Sequence, residues 1–277
     1  MQIDAIEIAT TQAAGPVRYS ICTLVTGRAE YAAMLSSFRS HGFNDSTCEY
    51  LYVDNSCANT MTAYDGLNRM IDAARGRYVI LCHQDVRLIA DGRADLDRRL
   101  AELEQRDSDW AVAGNAGGTG PGRLAMRISD PHGDNRKIGD LPARALSLDE
   151  NFLVLKRAAR IGLSHDLKGF HFYGADLCLA ADIMGYTAYV IDFHLRHLSE
   201  GAISPSFYQA RREFRTKWSR ALRTRWMQTT CGIMLLTGSR AGQAFGTAIQ
   251  RHALRIALRM PFARGWPSAS ATKNGTS

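Results

Sequence analysis

The stretch Tyr78-Val-Ile-Leu-Cys-His-Gln-Asp-Val-Arg-Leu88 constrains the chain most, because an apolar run stops abruptly at His83, Gln84 and Asp85. Val79 to Cys82, preceded by the turn signal Arg75-Gly76-Arg77, are enough to cross a sheet covered on both faces and too few for a helix. Ligands in open α/β sheets bind beyond the carboxyl ends of such strands. One residue separates His83 from Asp85, so on an extended backbone both side chains leave on one face. An imidazole nitrogen beside a carboxylate oxygen suits a divalent cation such as Mn2+ or Mg2+, and a hard cation suits a diphosphate. A strand end whose polar groups merely meet water would explain the stretch equally well, so the decision lies elsewhere in the chain.

Two strand–helix units come before it. Tyr19–Thr26 is a β-rich run followed by Gly27, and the helix expected over Glu30–Arg39 carries Tyr31, Met34, Leu35 and Phe38 on one face. Glu49–Val53 runs into Asp54-Asn55-Ser56, and Thr60–Ala74 has helical spacing through Met61, Tyr64, Leu67, Met70 and Ile71. Alternation of this length implies a parallel sheet with right-handed crossovers. The strand ends carrying Thr26, Asp54-Asn55 and His83/Asp85 then open on one crevice.

Beyond the central strand, Arg93–Arg106 reads as a charged helix with Leu96, Leu100 and Leu103 as its inner stripe, and Trp110–Gly118 as a strand entering a glycine-rich loop. Gly114–Gly122 lacks the G-x-x-x-x-G-K-[ST] pattern of a phosphate cradle and reads as a flexible strand end. Residues 123–148 suggest an irregular hairpin region, and the acidic pair Asp149-Glu150 precedes a further strand at Asn151–Leu155. Phe170–Gly185 combines an aromatic entry, a pivot at Gly174 and a helix near whose start Asp176 sits, where the dipole favours a carboxylate cap. Tyr186–Ile191 is a last strand, leading to His194 and His197, both candidate ligands.

Taken together these pieces resemble the nucleotide-diphospho-sugar transferase fold (GT-A), in particular family-2-like glycosyltransferases with H-Q-D in place of D-x-D. The resemblance spans about residues 19–201. It rests on Val53–Ser56, Gly76–Val86, Trp110–Gly118, Leu148–Phe152, Gly169–Leu179 and Gly185–Gly201. It implies an α/β domain with a mostly parallel central sheet and helices on both faces. The implied activity moves a sugar from a UDP-, GDP- or dTDP-sugar to a hydroxyl of a glycan or lipid-linked acceptor, with a divalent metal and inversion at the anomeric carbon. Position by position, the resemblance implies that Asp54 contacts the nucleoside, with Thr26 and Asn55 beside it. It assigns His83, Asp85 and His197 to the metal and diphosphate, and Asp176 to the general base. Two positions depart from the pattern: His83 replaces the first Asp of the motif, and Ala175 stands where many relatives have Glu. The competing reading is a protein that binds a nucleotide sugar without turning it over.

Charge sets the rest of the chain apart. Residues 211–277 hold 13 Lys+Arg against a single acidic residue, whereas the preceding 210 hold 21 against 26. An acidic body argues against nucleic acid as a partner. From Arg211 the spacing predicts a basic amphipathic helix with Trp218, Leu222, Trp226 and Ile233 on one face. A second stretch gathers Phe245, Ile249, Ala253, Ile256 and Met260 against a stripe of Arg251, Arg255 and Arg259. Such helices suit an anionic membrane surface, where each nearby cation contributes roughly 1 kcal/mol, or else pack on the catalytic domain. The division expected is a leader at 1–17, a catalytic domain at 18–210, a helical extension at 211–265 and a disordered tail at 266–277. Six cysteines without a C-x-x-C pair, an acidic start and the lack of any run of about 18 apolar residues point to the cytoplasm, and the basic extension to the inner face of the membrane.

Overall fold

A computed structural model describes residues 17–201, 204–229 and 232–245. Contacts within the chain divide it into two units, Met1–Phe214 and Arg215–Ser277. The first unit opens with two parallel strand–helix repeats: β1 (Tyr19–Val25), α1 (Arg28–Ser40), β2 (Cys48–Asp54) and α2 (Ala63–Ala73). Next come β3 (Tyr78–Cys82), β4 (Val86–Leu88), α3 (Arg93–Arg106) and β5 (Trp110–Gly114). Six short strands follow: β6 (Ala116–Gly120), β7 (Arg123–Asp130), β8 (Gly133–Ile138), β9 (Ala143–Arg144), β10 (Ser147–Leu148) and β11 (Phe152–Lys156). The unit continues through α4 (Tyr173–Ile183), β12 (Thr187–Val190) and β13 (Leu195–His197), and α5 (Pro205–Ala221) begins in it.

The main sheet runs β2-β1-β3-β11-β5-β12-β9. β1 is parallel to β2 and β3, and β12 to β5, whereas β11 lies antiparallel between β3 and β5. The sheet is therefore mostly parallel, and the strand expected at 151–155 enters it in the opposite sense. All five residues of β3 are buried, and their side chains alternate between two cores as strand geometry requires. Ile80 and Cys82 join Met34 and Phe38 of α1 and the Leu96, Leu100, Leu103 stripe of α3. Val79 and Leu81 join Tyr64, Leu67 and Met70 of α2 and Leu177 of α4 on the other face. Each such fully buried side chain contributes about 1.5–3 kcal/mol.

A second sheet, β10-β6-β7-β13-β4 with β8 on β7, lies beyond the strand ends. The glycine-rich run expected to be a flexible strand end is instead part of this sheet: Ala116–Gly120 is a strand, and a Cβ on Gly117 would stand 2.3 Å from the Ser147 carbonyl oxygen. The missing side chain lets β10 approach β6.

In the second unit the expected helix stops at Ala221, and β14 (Arg225–Thr229) pairs antiparallel with β15 (Gly232–Leu236), before a short α6 (Arg240–Phe245). Trp226 and Ile233 thus lie on strands and not on one helical face with Trp218. Among the described residues no helix is long and apolar enough to cross a membrane. The leader up to residue 16 and everything after Phe245, including the second amphipathic stretch and the 266–277 tail, lie outside the described residues.

Candidate active site

The chain leaves β3 at His83, turns at Gln84 and Asp85, and continues as β4. β13 pairs antiparallel with β4, placing His197 opposite Val86, and the Leu198 N–H donates to the Asp85 carbonyl at 3.2 Å. That ladder brings a histidine from far along the chain to the H-Q-D turn. His83 Nδ1 lies 3.3 Å from His197 Nε2, and Asp85 Oδ1 lies 3.4 Å from His197 Nε2 and 4.0 Å from His83 Nδ1. The shared face expected of His83 and Asp85 is reached through a turn, which sends Gln84 the other way.

Two imidazole nitrogens and a carboxylate oxygen within 4.8 Å of one another are a donor set for a divalent transition metal, and separations near 3–4 Å are those of ligands about 2.1 Å from a shared ion. The electrostatics agree. Burial and the neighbouring His197 push the His83 pKa down, so its ring is neutral and its lone pair available. Burial would lower His197 too, but the hydrogen bond and charge of Asp85 prevail and raise it. Burial would raise Asp85, and the His197 contact instead holds it well below the carboxylate range. His83 Nε2 is fixed from behind by the Tyr173 hydroxyl at 2.8 Å, and Tyr173 donates on to the Glu150 carbonyl at 3.0 Å. Outer partners of this kind orient a ligating ring.

Gln84 ties the turn to the β1–α1 loop. Its Oε1 accepts from the Thr26 and Gly27 N–H groups, each at 2.9 Å, and its Nε2 donates to Thr26 Oγ1 at 2.7 Å. A cavity of about 260 Å³ opens beside this join, walled by Thr26, His83, Gln84, Asp85, Phe170 and Tyr173 over an apolar floor of Leu24, Leu67 and Leu81. A larger cavity, about 540 Å³, lies around Val79, Lys156 and Arg157 and includes none of the cluster residues.

The other expected residues are placed differently. Asp54 is exposed at the end of β2, where Ser56 and then Arg28, at 2.6 Å, hold its carboxyl down to about 2. Asn55 is 3% exposed and its amide is used within the loop, accepting from Thr60 and Met61 and donating to the Met61 carbonyl. It shapes the loop after β2. Asp176 is fully buried, with Oδ2 accepting from the Ser164 N–H at 2.8 Å and Oδ1 from the Ser164 hydroxyl at 2.7 Å. These bonds make it a brace for residues 164–176 in this structure. His194 is buried against the Ser129 hydroxyl at 2.9 Å, outside the cluster. Tyr173 and Gln84 escape a reading of the sequence, since neither a tyrosine in an aromatic run nor a glutamine inside a motif signals by type what its partners are.

No family model matches. The mannosyltransferase PcManGT of Pyrobaculum calidifontis, solved with GDP-Man and Mn2+, superposes with a TM-score of 0.51 at 12% identity, over 74% of this chain and 64% of its own. Staphylococcus aureus TarS, solved with UDP-GlcNAc, gives 0.49 at 11% identity over 73% and 67%. The superposition on PcManGT shows the α/β GT-A fold. In sequence, the chain is 39% identical over 228 residues to the ATP synthase subunits region ORF 6 protein of Fuscovulum blasticum, covering 79% of this chain and 91% of the relative. It belongs to that protein's family.

Proposed function

We propose that this protein is a metal-assisted glycosyltransferase that moves a sugar from a nucleotide-diphospho-sugar donor to a hydroxyl acceptor, with inversion at the anomeric carbon. The observation that carries this reading is the convergence of His83, Asp85 and His197 beside the cavity at the ends of β1 and β3, in a fold shared with a mannosyltransferase solved with GDP-Man and Mn2+. A divalent cation held there would offset the charge that develops on the leaving diphosphate. Asp54, braced by Arg28 and Ser56, is the acceptor available to nucleoside hydroxyls. Gln84 fixes the β1–α1 loop across the cavity mouth. We read the acceptor as a glycan or lipid-linked glycan, reached at an anionic membrane surface through the basic residues after 211.

A thermal-shift screen with UDP-, GDP- and dTDP-sugars, with and without Mn2+, tests the reading. One nucleotide class should raise the melting temperature only with the metal, since a ligand at 100 times its Kd stabilises by about 2.7 kcal/mol. A protein indifferent to every donor in both conditions would reject it.

A further inference from the structure

β11 runs antiparallel to β3 with Lys156 opposite Tyr78, so the basic run that ends it, Lys156-Arg-Ala-Ala-Arg160, is delivered to the end of the sheet away from the metal cluster. Val79 and His83 are separated along the chain by about 13 Å at the rise of an extended strand. The cavity of about 540 Å³ opens at this far end, and its size is that of small-molecule sites, which pair an apolar surface with a few placed polar groups. Its floor is apolar, formed by Ile71, Ala74, Val79, Leu155 and Ile161. Asn68 of α2 fixes the adjoining loop, with Nδ2 donating to the Leu163 carbonyl at 3.0 Å and Oδ1 accepting from the Leu163 N–H at 2.8 Å.

Arg157, Arg160 and His165 line the same cavity against one carboxylate, Asp72. The single 3-10 turn Arg157–Ala159 sets the two arginines three residues apart, the spacing at which side chains on such a turn eclipse. Lys156 is already paired, its Nζ donating to both Glu104 oxygens and to the Ser108 carbonyl, each at 2.8 Å. The two arginines are not tied in this way. Among the described residues neither guanidinium has an ion-pair or hydrogen-bond partner, Asp72 included, and Arg157 Nε is buried without one. A buried donor left unpaired costs free energy, more so on a charged group. We infer that this cavity is a second ligand site, built for a small organic phosphate. The guanidinium fork matches phosphate oxygens, and two such cations suit a phosphate monoester, whose charge is about −1.5 to −2 at pH 7. The uncharged part of the ligand lies on the apolar floor. Because the site stands at the opposite end of β3 from His83, it requires neither the metal nor the glycosyl-transfer reading.

The probes are phenyl phosphate and inorganic phosphate, titrated by calorimetry in EDTA into the full chain as wild type, R160Q, R157Q/R160Q and D85A. Wild type should bind one phenyl phosphate about tenfold more tightly than inorganic phosphate, because the ring covers apolar floor. Arg160 is exposed, so R160Q should melt with wild type and still lose about tenfold in affinity, as expected for one charge-assisted contact. The double variant should lose more, and R160Q alone decides the matter if the double variant does not fold. D85A should bind phenyl phosphate as wild type does. No binding by wild type at about 10 mM phenyl phosphate, or R160Q affinity within about twofold of wild type, would overturn the inference. Equal affinity for the two probes would remove the organic ligand, and binding lost in D85A would place the probe at the metal cluster; either result also overturns it.

Discussion

Between Asp85 and His197 a single proton decides the charge of the cluster. Their pKa values move in opposite directions, Asp85 down and His197 up, because each stabilises the charged form of the other. The contribution of His197 is fully present below the ordinary imidazole pKa and is lost as pH rises through its raised value in the fold. That of Asp85 is present above the ordinary carboxylate pKa and is lost as pH falls through its lowered value. Metal-free protein should therefore gain most from the pair between about pH 4 and 6.5, the two unfolded values. In D85N, urea melts across pH should show this advantage gone, a loss of about 1–3 kcal/mol at pH 5.5 and less at pH 8.5. Equal losses at both pH values would mean that the pair is not ionised as described. The sequence exposes His83 and Asp85 through their position at a strand end, and His197 through the resemblance. Asp176 is legible only as a carboxylate near a helix start, which has one sequence signature whether it caps, braces or catalyses.

The start of α4 is the element on which the site turns. β10 passes so close to it that Gly174 has no room for a side chain, and Tyr173, just before it, carries the contact to His83. Gly174→Ala should cost roughly 1–3 kcal/mol, because the clash is with backbone and cannot be relieved by a rotamer. Urea denaturation checks this, and a stability within about 0.5 kcal/mol of wild type would show that α4 and β10 are not packed as described. The sequence marks Gly174 as a pivot without revealing that β10 is what it accommodates. The first two strand–helix repeats are legible because their apolar spacing is local. The antiparallel entry of β11 between β3 and β5 is not, since a run such as Phe152-Leu-Val-Leu155 is apolar in either direction.

For the whole molecule, the GT-A domain and the basic segment after it pose separate questions. The predicted helical face through Trp226 and Ile233 fails because a 3.6-residue spacing of large apolar side chains is also compatible with two short strands. What survives is the charge, 13 basic residues against one acidic after position 210. A chain ending at residue 221 should lose sedimentation with anionic liposomes, and 0.5 M salt should weaken the binding of the full chain by screening. Binding that ignores both changes would remove the membrane from the account. The central claim is that the turn after β3 and the end of β13 hold a metal for a nucleotide diphosphate, and Asp85→Ala examines it most directly. Calorimetry of UDP and GDP with and without Mn2+ should show metal-dependent binding in wild type. In a folded D85A protein the metal dependence should disappear, with affinity falling at least tenfold. Mn2+-dependent affinity that is unchanged in D85A would contradict the claim.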